Sequence, residues 1–301
     1  MVKPLRILIT GANGQVGFEL KRALAPLGDV LAAGRNMMDL GDPESIRKTL
    51  DTFTPTIIVN PAAYTAVDQA EKDPDSAFAI NAAAPRALAR WAEQNNAMLI
   101  HYSTDYVFDG DKEGRYTEDD PTHPLSVYGA SKHEGETAIR EETGRHLILR
   151  TSWVVGAHGN NFLKTILRLA KDRDSLSIVA DQFGAPTSAA LLADVTAQLI
   201  GQWKYRTTAD FPFGTYHLTA SGETSWHGYA RYVVGLAERA GIKLKLSQDK
   251  IKPIPTDGYP LPARRPANSR LDCAKLTQTF GLTLPDWTHG VAQVFEQITE
   301  K

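Results

Sequence analysis

One cysteine, Cys273, is all the sequence holds. It excludes an intrachain disulfide framework and fits a reducing compartment, so the chain is expected in the cytoplasm. Apolar runs are short. None approaches the ~20 residues needed to span a bilayer, and the opening Met1-Val2-Lys3-Pro4-Leu5-Arg6 lacks the apolar stretch of a secretory leader. Neither sign of charge dominates. With 33 Lys and Arg against 35 Asp and Glu, the formal net charge of -2 leaves no electrostatic footprint for nucleic acid or an anionic membrane. Internal repeats and low-complexity tracts are missing too. His101 and His123 stand alone without ligand spacing and read as structural or surface histidines, and no metal is placed. The acidic run Glu118-Asp119-Asp120 reads as a solvated face. What is there suffices for a large core: 301 residues, 42% hydrophobic, expected to divide into two lobes.

Along the chain, buried-strand patterns alternate with amphipathic helices. Leu5 to Thr10 runs directly into Gly11-Ala12-Asn13-Gly14-Gln15-Val16-Gly17, and a helix follows through Phe18, Leu20 and Leu24. Glycines so spaced permit a tight turn, close approach of backbone to a pyrophosphate, and close helix–strand packing. The helix N-terminus then presents free N–H groups and a positive dipole end to phosphates. Val30 to Ala33 is the second strand and ends at Gly34-Arg35, where NAD-selective sites place an acid on the ribose 2′-OH. An arginine there suits a 2′-phosphate, so Arg35 tilts the expected cofactor towards NADPH, with NADH the alternative. Pro43 to Phe53 reads as a helix and Ile57 to Asn60 as a strand opening into Pro61-Ala62-Ala63-Tyr64-Thr65. A helix from about Pro74 carries Asn81, another passes through Ala87, Leu88 and Trp91, and Met98 to Tyr102 delivers Ser103 and Thr104 at a strand end. Leu147 to Arg150 is a fifth strand. The alternation predicts an α/β, doubly wound parallel sheet of the Rossmann type with a smaller, discontinuous substrate-binding lobe. Residues 1–155 are expected to form the dinucleotide-binding part, with returns near 190–220, and 156–301 mainly the second lobe.

The chemistry gathers between Ser103 and Lys132. Tyr128 and Lys132, four residues apart, share one helix face with stems roughly 6 Å apart. A free tyrosine, with a pKa of about 10, is a sluggish proton donor at neutral pH. A neighbouring ammonium favours the phenolate and is expected to lower that pKa. Thr104, at the end of the preceding strand, would share a substrate oxygen with Tyr128. An ordinary pair on a surface helix has the same spacing, so the pattern takes its meaning from the glycine turn and the strand end beside it.

Together, Thr10 to Gly17 and Tyr128-to-Lys132 resemble the extended short-chain dehydrogenase/reductase family. The blocks Asn60 to Asp68, Ser103 to Gly110, Arg150 to Val154, Asp181 to Thr187 and Arg265 to Leu271 narrow the resemblance to the branch that reduces dTDP-linked 4-keto sugars, over essentially the whole chain. The resemblance implies that Gly11, Asn13, Gln15, Val16, Asp39, Leu40, Ala62, Ala63, Tyr64, Tyr128 and Lys132 line the cofactor. It implies that Thr104, Asp105, Tyr128 and Trp153 touch the sugar, with Val67 nearby. Tyr128 is then the proton donor, Lys132 its tuner and the holder of the nicotinamide ribose, and Thr104 the partner of the reacting carbonyl of dTDP-4-dehydro-β-L-rhamnose. Two positions depart from the pattern: Arg35 stands where some members carry an acid, and Pro61 where a small residue is common. Some relatives dimerise with Mg²⁺. Glu19 would be its contributor here, but no ligand cluster is visible. Open alternatives are a dehydratase or epimerase, whose second acid–base pair is incomplete because Tyr106 follows Asp105, a reductase of another dTDP-4-keto sugar, and a non-catalytic regulatory subunit on the same scaffold.

Overall fold

The first strand, β1 (Leu5–Ile9), is apolar at nearly every position because both of its faces are covered, as parallel sheets require. The computed structural model describes residues 4–206 and 209–299. Met1 to Lys3 of the opening segment, residues 207–208 in the returning stretch and residues 300–301 lie outside the described residues. After β1 come α1 (Gln15–Leu24), β2 (Gly28–Ala32), α2 (Pro43–Phe53), β3 (Ile57–Asn60), α3 (Val67–Ala70) and α4 (Pro74–Phe78). Asp42 caps α2 by accepting from the Glu44 N–H, and Pro43 takes the first-turn position, where its missing donor costs nothing. A π-helical turn, Ala79–Ala83, joins α4 to α5 (Ala84–Gln94) without a break, so the two helices expected around Asn81 are one run. Then follow β4 (Met98–Thr104), α6 (Val127–Glu142) and β5 (His146–Thr151).

The sheet has six parallel strands, and its far edge is not β5. The order ends with a strand from much later in the chain, β10 (Gly214–His217), which pairs with β5 from Gly214–Leu147 to His217–Arg150. Between them run β6 (Val154–Val155), α7 (Phe162–Asp172), β7 (Leu176–Val179), β8 (Phe183–Gly184), β9 (Thr187–Ser188) and α8 (Ala189–Lys204). One sheet face packs against Leu20 and Leu24 of α1 and Leu192 and Leu199 of α8. The other packs against Ile46 and Leu50 of α2 and Leu88 and Ala89 of α5. All eight are buried, the seven Leu and Ile side chains each contributing about 1.5–3 kcal/mol of transfer free energy and Ala89 about 0.8 kcal/mol.

Of the rest of the chain, α10 (Ala274–Phe280) returns to the first core through Leu276 and Phe280, while β11 (Thr224–Ser225), α9 (Trp226–Arg239), β12 (Ile251–Ile254) and α11 (Trp287–Thr299) build a second one. There Leu163 and Ile166 of α7 meet Tyr229 and Val233 of α9 and Val291 and Val294 of α11. Short pairs β7–β12, β8–β11 and β6–β9 stitch this lobe together. Among the described residues no helix is long and apolar enough to cross a membrane.

Two sequence expectations need correction. Phe18 is not part of the buried stripe of α1: it is 42% exposed and stacks on His158 at 4.5 Å. The acidic run is not a solvated face either. Glu118 accepts from the His217 backbone at 2.7 Å, with burial raising its pKa, and Asp120 binds Lys112 Nζ and the Thr117 N–H at 2.6 Å each. Only Asp119 is exposed.

Candidate active site

The loops leaving the C-terminal ends of the strands surround a cleft of ≈ 470 Å³. Its walls include Gly11, Gly14, Gln15, Val16, Gly17, Arg35, Asp39, Leu40, Ala62, Ala63, Tyr128 and Lys132, all expected from the sequence. Pro61 and Thr65 of the expected loop also line it, and the structure adds Ile80, Tyr102, Thr151 and Asn160, which no local pattern announces. Asn13 and Tyr64 are not among the lining residues. The Asn13 amide lies against Gly34, and the Tyr64 backbone exchanges hydrogen bonds with the Asn81 side chain at 2.8 and 3.1 Å.

These walls fit a dinucleotide. Gly11 turns the chain at φ 57°, and a Cβ on Gly17 would stand 2.2 Å from the Gly11 carbonyl, so the loop closes tightly under the first turn of α1. Gly14 at the N-cap supplies no capping side chain, which leaves the first-turn N–H groups for an anion at the positive end of the helix. Thr151 Oγ1, on the cleft wall, is buried with no partner among the described residues. Arg35 is exposed at the rim, near where the strand pattern put it.

At the inner end of the cleft, α6 starts on Ser126, whose hydroxyl accepts from the Gly129 N–H, and so aims Tyr128 and Lys132 inward. Lys132 is 2% exposed, and its ammonium donates 2.7 Å to the Tyr102 carbonyl and lies 3.1 Å from His101 Nε2. Burial brings its pKa down to about 8, with Glu136 one turn on pulling the other way. Tyr128 is half-buried and meets Tyr106 edge-on, ring centres 5.4 Å apart. Here the sequence expectation fails. Burial raises the Tyr128 pKa above the ordinary tyrosine range, opposed by the Thr104 hydroxyl, and both hydrogen bonds of the Lys132 ammonium go elsewhere. Tuning by the lysine is therefore not a property of the protein without its ligands.

Thr104 closes β4, accepting from the Tyr106 N–H at 3.2 Å and donating to Asp105 Oδ1 at 3.0 Å. Asp105 is 3% exposed. Burial lifts its carboxyl to about 6 against the hydroxyls of Ser269 and Thr104. Behind this end, Arg150 grips Glu136 in a two-pronged ion pair at 2.8 and 2.7 Å. Burial alone would raise Glu136, but the guanidinium holds it at about 2.

Trp153, at φ 49°, is half-buried and stacks on Trp226 of the second lobe at 3.7 Å. It lines a separate hollow of ≈ 130 Å³ with Gln15, Phe162 and Tyr229 rather than the main cleft. Val67 opens α3, where its neighbour Asp68 takes Arg265 at 2.7 Å and the Ala263 N–H at 3.1 Å. Arg265 in turn lies 3.5 Å from the Tyr106 hydroxyl. Asp68, Arg265 and Ser269 fall within the family-like blocks, where sequence alone gives them no role. Their signal in the sequence is the family resemblance of those blocks, not a chemical pattern. Glu19 is buried and pairs with Arg22 at 3.3 Å, and among the described residues no group of three or more His, Cys, Asp or Glu is placed to hold a metal.

Comparison with known proteins supplies the context for this geometry. A family model described as the RmlD substrate binding domain matches residues 5–300. The chain is 49% identical over 288 residues to a dTDP-4-dehydrorhamnose reductase of Burkholderia thailandensis, covering 95% of this chain and 97% of the relative. To the Escherichia coli protein of the same name it is 49% identical over 300 residues, with 98% of each covered. The crystal structure of a dTDP-4-dehydrorhamnose reductase from Bacillus anthracis in complex with NADP superposes with a TM-score of 0.85 at 35% identity, over 97% of this chain and 98% of that one.

Proposed function

From the premise that the chain belongs to the RmlD substrate binding domain family, we propose that it reduces the C4 ketone of dTDP-4-dehydro-β-L-rhamnose to give dTDP-L-rhamnose, with NADPH as donor. One observation carries the reading. Tyr128 and Lys132 line the same cleft as the glycine turn and the N-terminus of α1, and the Thr104 hydroxyl, which is not itself on the cleft wall, interacts with Tyr128.

The nicotinamide supplies the hydride when bound. The chain's own residues do the rest. Gly11 to Gly17 and the first turn of α1 take the pyrophosphate, and Arg35 at the rim faces the 2′-phosphate. Lys132 presents its ammonium to the nicotinamide ribose. Tyr128, kept protonated by burial, gives its phenolic proton to the oxygen that becomes an alkoxide, while the Thr104 hydroxyl bonds the same oxygen. A neutral phenol in a dry site is a donor with no competing ionised form at neutral pH. Asp105 binds a sugar hydroxyl, and Trp153 with Trp226, in the hollow that shares Gln15, Val154 and Asn160 with the cleft, offers the deoxysugar an apolar wall. The lone cysteine accords with a cytoplasmic enzyme.

The deciding experiment is stoichiometric NADPH oxidation with purified dTDP-4-dehydro-L-rhamnose, the product identified by NMR. Tyr128→Phe should lose about 10² to 10⁴ in kcat while its NADPH Kd stays within a few-fold. Undiminished turnover in that variant, or a product without hydride at sugar C4, would overturn the assignment.

A further inference from the structure

The catalytic lysine is anchored from behind by a row of buried polar groups that crosses three neighbouring strands. Thr10, just past the end of β1, donates its hydroxyl to Asn60 Oδ1 at the end of β3 at 2.5 Å. The amide nitrogen, Nδ2, lies 2.9 Å from His101 Nδ1 on β4, where Asn60 and His101 are paired in register. His101 Nε2 then lies 3.1 Å from Lys132 Nζ on α6. All four residues are buried, at 2% exposure or less. We propose that His101 is a positioning residue for Lys132: held by Asn60, its ring accepts a hydrogen bond from the ammonium through Nε2, fixing where that ammonium stands and favouring its charged form.

The chemistry of the ring decides the arrangement. Burial, and then the nearby Lys132 charge, keep the imidazole neutral, so one ring nitrogen donates and the other accepts. If Nε2 carried the proton, N–H would face N–H across 3.1 Å. An Nδ1–H tautomer leaves Nε2 free to accept, and it requires the Asn60 amide turned end over end from the orientation above, its oxygen accepting from Nδ1–H and its nitrogen facing Thr10 Oγ1. The other charge acting on Lys132 is Glu136, itself bound by Arg150 and Arg140. Without His101 the ammonium keeps the Tyr102 carbonyl as its remaining acceptor inside the protein, and a buried cation short of an acceptor gives up its proton more readily. The same row reaches the cofactor loop, because the Ala62 N–H points at Thr10 Oγ1 at 3.4 Å.

This inference rests on the role given to Lys132 above, so its test has an arm that needs neither substrate nor turnover. Lysine labelled with ¹³C at Cε, with the Lys132 resonance assigned by its loss in Lys132→Met, gives the Lys132 midpoint directly in the cofactor-free protein. The amide oxygen of His101→Gln reaches about as far as Nε2, whereas His101→Asn reproduces only the Nδ1 side and His101→Leu neither. In the Asn and Leu variants the midpoint should fall by about one pH unit or more, the basic limb of the kcat/KM profile should move with it, and kcat should drop about ten- to a hundredfold. Gln should keep the midpoint within a few tenths and recover most of kcat. Equal midpoints in all three variants, or losses that follow thermal stability alone, would overturn the proposal. If the Leu variant does not fold, Asn against Gln carries the comparison. The ¹⁵N shifts of the parent ring also decide: Nδ1–H is required, and Nε2–H refutes it. A shifted midpoint without turnover on the 4-keto sugar would fault the substrate assignment, not His101.

Discussion

Replacing Arg150 with Met should destabilise the protein by about 3–5 kcal/mol, because it leaves the buried Glu136 carboxylate with only the half-exposed Arg140, 3.1 Å from one oxygen, as its cation. The magnitude follows from the pair itself. Both side chains are almost fully buried, 4% and 0% exposed, and Arg150 binds both carboxylate oxygens at 2.8 and 2.7 Å. Glu136 is held at about 2 against an ordinary 4.5, and with each pH unit worth about 1.4 kcal/mol this amounts to roughly 3 kcal/mol. A depressed carboxylate contributes fully above its unfolded pKa and loses that contribution as pH falls through its folded one. The parent should therefore lose this part of its stability between about pH 4.5 and pH 2, and Arg150→Met should not. At pH 7 the variant should melt on the order of 10 °C lower, at about 2–4 °C per kcal/mol for a chain of this size or slightly smaller. Thermal scans of the parent, Arg150→Met, Glu136→Leu and the double variant form a cycle. The double variant should recover much of either single loss, since removing both charges removes the stranded one. Strictly additive losses would refute the reasoning, for they would mean that neither charge depends on the other.

Two further outcomes can be checked with the same enzyme. NADPH should be preferred over NADH, and Arg35→Asp should flatten or reverse the preference by about ten- to a hundredfold, the worth of a charge-assisted contact with the 2′-phosphate; equal kcat/KM for both cofactors in the parent would show that Arg35 points elsewhere. The kcat/KM profile should carry a limb near pH 6 from the buried Asp105 carboxyl, and Asp105→Asn should remove it; a limb that persists in the Asn variant belongs to another group.

The sheet was legible because buried parallel strands announce themselves as unbroken apolar runs between turn formers, as in Ile57 to Asn60 and Met98 to Tyr102. The glycine turn was legible for a steric reason: Gly17 has no room for a Cβ. What could not be read depended on partners distant in the chain. His101 looked like an isolated histidine because Lys132 reaches it from 31 residues away, and Glu118 looked solvated because β10 meets it from 99 residues away. The electrostatics of Tyr128 were misjudged for a related reason. The spacing correctly puts the lysine on the tyrosine's helix face but says nothing about the carbonyl and imidazole that claim its ammonium, nor about burial outweighing a nearby charge. The π-helical turn at Ala79–Ala83 has no local signature in a run of alanines.

The placement of β10 bears on how the chain is made. During vectorial synthesis β5 leaves the ribosome with its outer edge unpaired, and the apolar face of α1 waits for α8. The α1 face is covered only once Ala189–Lys204 has emerged and the β5 edge only once Gly214–His217 has, with α7 to β9 made in between. A nascent chain stalled before α8 carries an open strand edge and a bare apolar face, both of which invite association with other chains. The nucleotide-binding half therefore cannot mature ahead of the rest. Truncation at residue 155 should yield an aggregating fragment rather than a small cofactor-binding protein, and amide exchange in the intact chain should show β5 and β10 opening together.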